Sequence, residues 1–291
     1  MQSDIGDSFT SAKAMLEEGR TVLFSGVPCQ IIALIKFLGK EYEKLYTVEI
    51  VCHGVPSPVV FQKYGEAMAE KFGSSLTQVD FRNKRKSWSQ YEIHMSFANK
   101  KLYKKPFYKD PYCSAFIKNV TLRPSCYCCK ANKTIRHGDL ILGDYWGIYK
   151  IHPQFADRSG VSLVVSTNSK GQALLYLCSD SLMSIPTELD KAIQYNICMI
   201  RSVNPRATRT EFFENLYNRE IIKLLKAASL PTVKEQIYRI KYNVKRIIKT
   251  IIHLFRKYSF GNHPVNFRIH QQKLKNFIKK TADNTKHRLN L

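Results

Sequence analysis

Four cysteines stand in three short loops with apolar flanks. They are Cys29 in Ser25-Gly-Val-Pro-Cys-Gln30, Cys52 in Val51-Cys-His-Gly-Val-Pro56, and Cys126 with Cys129 in Arg123-Pro-Ser-Cys-Tyr-Cys-Cys-Lys130. Four thiolates complete either a cubane iron–sulfur cluster or a tetrahedral zinc site. Cys126 and Cys129 hold the Cys-x-x-Cys spacing that turns two sulfurs onto one metal, and Cys29 with Cys52 would supply the second pair. Cys128 competes with Cys129 for the second position of that loop. Cys29 follows a strand and opens a helix, where backbone N–H groups favour a thiolate or hold a phosphate. Gly26, Pro28 and Gln30 are the candidate cofactor contacts of this loop. Taken singly, Cys29 reads equally well as a structural cysteine beside a helix cap.

Further candidates flank these loops. His53 is a hydrogen-bond donor behind the ligands, a proton shuttle or an ordinary loop residue. In Asp139-Leu-Ile-Leu-Gly-Asp-Tyr-Trp-Gly147, Asp144 is a proton donor, a cofactor partner or a turn cap. Trp146 either stacks on a flavin-like ring or belongs to the core. Cys113, Cys178 and Cys198 fall in expected helices and read as buried structural thiols.

The elements around these loops define the fold class. Residues 21–25 form a short apolar strand, and 30–38 follow at helical period up to Gly39. Residues 46–51 form a second strand, and a helix opens at Pro58. Two strand–loop–helix units in succession predict adjacent parallel strands, whose C-terminal loops lie side by side where α/β sheets bind ligands. Residues 78–82, 91–97 and 102–107 alternate like a meander, and 110–120 read as a helix. Strands are expected over 139–143 and 161–167, and helices over 11–18, 172–179 and most of 207–228. The expected architecture is α/β: a mixed, largely parallel sheet with helices, plus a C-terminal basic helical extension. The domains are 1–230 and 231–291.

Bulk properties narrow the classes. The 291 residues are 44% hydrophobic, which fits a globular chain with a proper core. There is no apolar run of membrane-spanning length and no secretory signal at the start. Eight cysteines without an export signal favour a reduced, cytoplasmic setting and metal ligation over disulfides. The net charge of +23 is uneven: residues 231–291 carry +13, with 15 Lys/Arg against 2 Asp/Glu. No nucleic-acid-reading motif accompanies it, so nucleic acid is not the expected partner. Ile237, Ile240, Val244, Ile247 and Ile251 recur at three- and four-residue steps in a basic amphipathic helix. Packing on its own domain or docking on a partner is favoured over an anionic membrane surface. Beyond Gly261 a loosely ordered tail is expected.

In this order, the motifs Val22–Gln30, Glu49–Pro58, Arg123–Lys130 and Asp139–Gly147 resemble the coenzyme F420 hydrogenase/dehydrogenase beta-subunit family, in its C-terminal domain, over residues 3–187. The resemblance implies an iron–sulfur flavoprotein oxidoreductase with Cys29, Cys52, Cys126 and Cys129 as ligands of a [4Fe–4S] cluster. It further implies FAD, and a deazaflavin (coenzyme F420) or another small organic acceptor. Relatives often carry a ferredoxin-like module with a Cys-x-x-Cys-x-x-Cys-x-x-x-Cys-Pro run, which is not in this sequence. The chain begins immediately before the first matching helix, as a fragment would. Electrons are thus expected from a separate ferredoxin-like donor or a module absent from this chain. The alternatives are a zinc-stabilised non-redox domain and a truncated, partner-binding remnant.

Overall fold

A computed structural model describes residues 4–131 and 136–258. The chain divides into two units, Met1–Leu230 and Pro231–Leu291.

The first unit opens with α1 (Ser8–Glu17), β1 (Val22–Gly26), α2 (Pro28–Leu38) and β2 (Leu45–Ile50). Pro28 occupies the first turn of α2, where its missing N–H costs nothing. Gly39 ends the helix at φ +71°. β1 and β2 pair in parallel, from Val22 opposite Leu45 to Gly26 opposite Glu49. Ala12, Leu16, Val22, Leu34, Leu38 and Leu45 close over one another as a small core. Full burial of a leucine such as Leu34 contributes about 1.5–3 kcal/mol.

The chain then leaves this sheet through α3 (Pro58–Phe72) and builds an antiparallel meander of β3 (Leu76–Asn83), β4 (Glu92–Phe97) and β5 (Leu102–Pro106). The β4 pattern alternates: Ile93, Met95 and Phe97 are buried and their neighbours half-buried. The next helices are α4 (Pro111–Ile117) and the single turn α5 (Pro124–Tyr127). Asp110 caps α4 by accepting from the Cys113 N–H at 2.9 Å. Its other oxygen accepts from Tyr64 at 2.5 Å and Tyr103 at 2.9 Å, tying α3 and β5 to the cap.

β6 (Leu140–Asp144) returns to the first sheet in parallel beside β2, with Val48 opposite Leu140. After α6 (Ile148–Ile151), β7 (Ser162–Ser166) adds an antiparallel edge, giving the order β1-β2-β6-β7. The unit finishes with α7 (Ser169–Leu177), α8 (Leu189–Ile193), α9 (Arg209–Glu214) and α10 (Ile221–Ala228). Phe212, Leu224 and Leu225 from the last two join Val60, Tyr64, Met95 and Tyr112 in the largest core. The fold is the expected mixed α/β architecture with a largely parallel main sheet.

The second unit contains α11 (Val233–Tyr258), the expected basic helix. Thr232 and Glu235 start it with a reciprocal capping box: the Glu235 N–H donates to Thr232 Oγ1 at 3.2 Å, and the Thr232 N–H to Glu235 Oε2 at 2.9 Å. The loosely ordered tail expected beyond Gly261 lies outside the described residues. No described helix is long and apolar enough to cross a membrane.

Several local expectations change. The 207–228 helix is two helices, because Asn215 to Glu220 interrupt it. The Cys126 loop starts as a helical turn, since Pro124 presets its first φ. Of the three cysteines read as buried, only Cys113 is: Cys178 is exposed just past the end of α7, and Cys198 is half-exposed in a 3₁₀ turn. Burial, with Asp110 beside it, pushes the Cys113 thiol well up from its ordinary value. Iodoacetamide at neutral pH is therefore expected to modify Cys178 and Cys128 at least about a hundredfold faster than Cys113, which should react only on unfolding. Peptide mass mapping of a timed reaction reads these rates.

Candidate functional site

Because β1, β2 and β6 run parallel, Gly26, Ile50 and Asp144 end at one edge of the sheet. The loops carrying Cys29, Cys52–His53 and Asp144–Trp146 therefore leave from that edge, the side where open α/β sheets bind ligands.

At β1, the Gln30 side chain folds back and accepts from the Val27 N–H at 3.0 Å. Gly26 leaves the room: a Cβ there would lie 3.1 Å from Gln30 Oε1. Pro28 is buried. In this conformation Gly26, Pro28 and Gln30 shape the turn that presents Cys29, and the Gln30 amide oxygen is engaged by backbone.

The Cys52 loop is stitched to the Cys126 turn by backbone. Pro56 bridges Leu122, the Ser57 N–H donates to the Thr121 carbonyl at 2.8 Å, and the Arg123 N–H to the Val55 carbonyl at 2.8 Å. The Val55 N–H donates to Cys126 Sγ at 3.4 Å. Gly54 makes this approach feasible: its φ is +141°, and a Cβ would lie 2.8 Å from Leu122 Cδ1. Cys129 follows, its carbonyl accepting from Ser202 at 3.1 Å. The Cys128 thiol instead turns back on its own helix, 3.8 Å from the carbonyls of Pro124 and Ser125.

The four sulfurs lie within electrostatic reach. Burial pushes the Cys52 thiol up from 9.0 to about 11; the Gly54 N–H opposes this, and the Cys126, Cys29 and Cys129 charges add to it. Cys29 is also raised, first by partial burial and then by Cys129, with Cys126 adding less. Its backbone N–H bonds lower it, as a helix N-terminus should, but they are outweighed. The low-pKa thiolate expected at Cys29 is thus corrected: lost hydration and nearby thiols win.

Positive charge stands close by. Arg136 pairs with Glu49 at 2.5 Å, with side chains 5% and 1% exposed. Its guanidinium is pulled down by burial and held up by Glu49, then by Cys129 and Cys52. Among the described residues, no group of three or more His, Cys, Asp or Glu side chains is spaced to hold one metal ion. A zinc ion would draw its sulfurs to about 2.3 Å from a single centre, whereas a cubane spreads its thiolates around four irons. In number and chemistry the donor set suits a four-thiolate cluster: four thiols from three loops, three sulfurs engaged by backbone N–H groups and one guanidinium nearby.

One residue beyond Cys52 a cleft of about 530 Å³ begins, with His53, Asp144 and Trp146 all in its wall. Phe81, Phe107 and Phe116 face it from the meander and α4, and Tyr195 from the segment after α8. His53 packs edge-on against Phe116 at 5.1 Å, and Cys198 Sγ is 3.7 Å from its Nδ1. Burial holds the imidazole below its ordinary pKa. Asp144 is ion-paired with Arg82, whose guanidinium lies over Tyr91 at 5.1 Å. Trp146 is 37% exposed and packs at 4.8 Å on buried Trp88. Tyr145 beside it is buried, with its hydroxyl 2.6 Å from Thr187 Oγ1.

A second cleft, of about 580 Å³ and lined by Lys150, His152 and Lys191, shares Tyr195 with the first. Gly147 sets that shared wall: at φ +98°, a Cβ would lie 2.4 Å from the Tyr195 ring. Gly147→Ala is expected to destabilise the protein by about 1–3 kcal/mol, through backbone strain and displacement of Tyr195. Thermal unfolding measures this, and an unchanged Tm would contradict it.

Sequence patterns did not single out Phe81, Arg82, Tyr195 or Arg136, and they read Cys198 as a structural thiol. Alternation placed Phe81 and Arg82 on a strand, but nothing local indicates which side meets the main sheet edge.

Fold and site define a mixed α/β protein with a cysteine-bearing sheet edge beside an aromatic cleft. The family described as the C terminus of the coenzyme F420 hydrogenase/dehydrogenase beta subunit matches residues 19–188, more than half of the chain, and the chain belongs to that family. This is a family of oxidoreductase subunits named for coenzyme F420. Among solved structures, the chain is similar to one from the F420-reducing [NiFe] hydrogenase complex of Methanosarcina barkeri, at 16% identity and a TM-score of 0.35. The similarity covers 64% of this chain and 62% of that one, so the chain spans less than two thirds of its length. No curated protein matches this chain.

Proposed function

We propose that this chain is an iron–sulfur, flavin-linked oxidoreductase subunit. It would pass electrons between a ferredoxin-like donor and a small organic acceptor such as a deazaflavin. The supporting observation is that the charges of Cys126, Cys29 and Cys129 act on Cys52, and those of Cys129 and Cys126 on Cys29, one residue away from an aromatic cleft.

In this reading those four cysteines hold a [4Fe–4S] cluster, with Cys129 rather than Cys128 as the fourth ligand. The cluster supplies one-electron transfer when bound. The Gly54 and Val55 N–H groups and the Arg136 guanidinium stabilise negative charge on the sulfurs. Phe81, Phe107, Phe116 and Trp146 offer apolar faces to a flat ring, FAD or the acceptor itself, and keep water from it. His53 and Asp144, both in the cleft wall, would exchange a proton with that ring.

Anaerobic purification followed by a visible spectrum and iron, sulfide, zinc and flavin analysis tests this directly. The expected result is brown protein with about four irons and four sulfides per chain. Stoichiometric zinc without visible absorption would overturn the redox reading.

A further inference from the structure

We propose that α11 is a peripheral membrane anchor that lies on an anionic bilayer, its apolar stripe among the acyl chains and its basic side chains at the headgroups. This inference does not depend on the cluster or the cleft.

The helix runs for 26 residues, about 39 Å at 1.5 Å per residue. Its stripe of Ile237, Ile240, Val244 and Ile247 is exposed, at 37%, 50%, 39% and 55%. Four branched apolar side chains along one line of the helix are a surface in need of a cover. An isolated helix is also marginal in water without one.

The charge indicates which cover. Residues 233–258 hold eight lysines and arginines against one glutamate. At 100° per residue, Lys245, Arg246 and Lys249 fall on the side opposite the stripe. A protein core would demand the stripe alone, and nucleic acid the charge alone. An anionic lipid surface uses both at once, and such helices are typically rich in Lys and Arg on the polar face. So many charges preclude spanning, and α11 is not long and apolar enough to cross a bilayer.

The test is co-sedimentation of the full chain with phosphatidylcholine vesicles, with and without phosphatidylglycerol. Binding is expected only with the anionic lipid, and should weaken sharply between about 0.1 M and 1 M salt as the Debye length falls. Lys245→Ala should weaken it by about fivefold, and Ile240→Asp with Ile247→Asp by at least tenfold, with the far-UV spectrum unchanged. Equal sedimentation with and without vesicles would overturn the proposal, as would undiminished binding by the double aspartate variant. A parent that forms a dimer the aspartates dissolve, without binding vesicles, would overturn it in favour of a second copy as the cover.

Discussion

Anaerobically purified Cys52→Ser protein is expected to carry less than about one iron per chain, against about four in the parent. Cys52 sits half-buried in the loop after β2, and its thiol feels the charges of Cys126, Cys29 and Cys129. Burial, above all, holds its thiol near pKa 11, so a thiolate there needs a metal centre to compensate it. A serine hydroxyl ionises far less readily and is a poor ligand for a soft iron–sulfur centre. Cys29→Ser, Cys126→Ser and Cys129→Ser should behave alike. Cys128→Ser should keep its iron, because that thiol faces its own helix at 3.8 Å from two carbonyls. Cys178→Ser should also keep it, as an exposed residue past α7. Iron retained in Cys52→Ser would reject the ligand set, and iron lost in Cys178→Ser would show the assay to report stability instead.

Arg136→Ala is expected to lower unfolding stability by about 3–5 kcal/mol. Glu49 lies on the central strand β2 with its side chain 1% exposed, and Arg136 is its ion-pair partner at 2.5 Å. The Gly138 N–H at 3.1 Å and the His137 N–H at 3.4 Å also donate to that carboxylate. These do not replace a full positive charge in a site shut off from water. A double variant, Glu49→Gln with Arg136→Met, removes both charges and keeps an acceptor for the backbone, so it should regain most of the loss. Urea titration of the parent, the single and the double variants measures both effects. An Arg136→Ala midpoint equal to that of the parent would refute the structural role of the pair. The Arg136→Ala protein should also hold its iron less firmly, since the lost guanidinium is stabilised by charge on Cys129 and Cys52.

Much of this arrangement was legible before any coordinates. The run 21–25, Gly26-Val-Pro-Cys29 and the helical period up to Gly39 specify strand, tight turn and helix through near-neighbour effects: branched residues, a proline-set φ, a left-handed glycine. The same holds for β2, α3 and the alternating β4. Two successive strand–helix units implied neighbouring parallel strands, hence a shared edge for the loops of Cys29 and Cys52. Expectations failed where a residue's role depends on what packs across from it. Cys178 and Cys198 read as buried because their local sequence is helical and apolar, yet one ends exposed and the other faces His53.

The sequence alone therefore determined most element types, the loops that carry the four candidate cysteines, and the basic amphipathic character of α11. These follow from local periodicity, turn chemistry and composition, which operate within a few residues. The tertiary structure alone decided that Cys129, and not Cys128, acts electrostatically on Cys29 and Cys52, and that the charges of Cys129 and Cys52 reach Arg136. It also decided that a meander inserted between β2 and β6 lends Phe81 and Arg82 to the wall holding Asp144 and Trp146. Those juxtapositions join residues tens of positions apart. Strand order, a glycine that admits Leu122 against the Cys52 loop, and the closing of separate cores bring them together. No short-range pattern encodes any of the three.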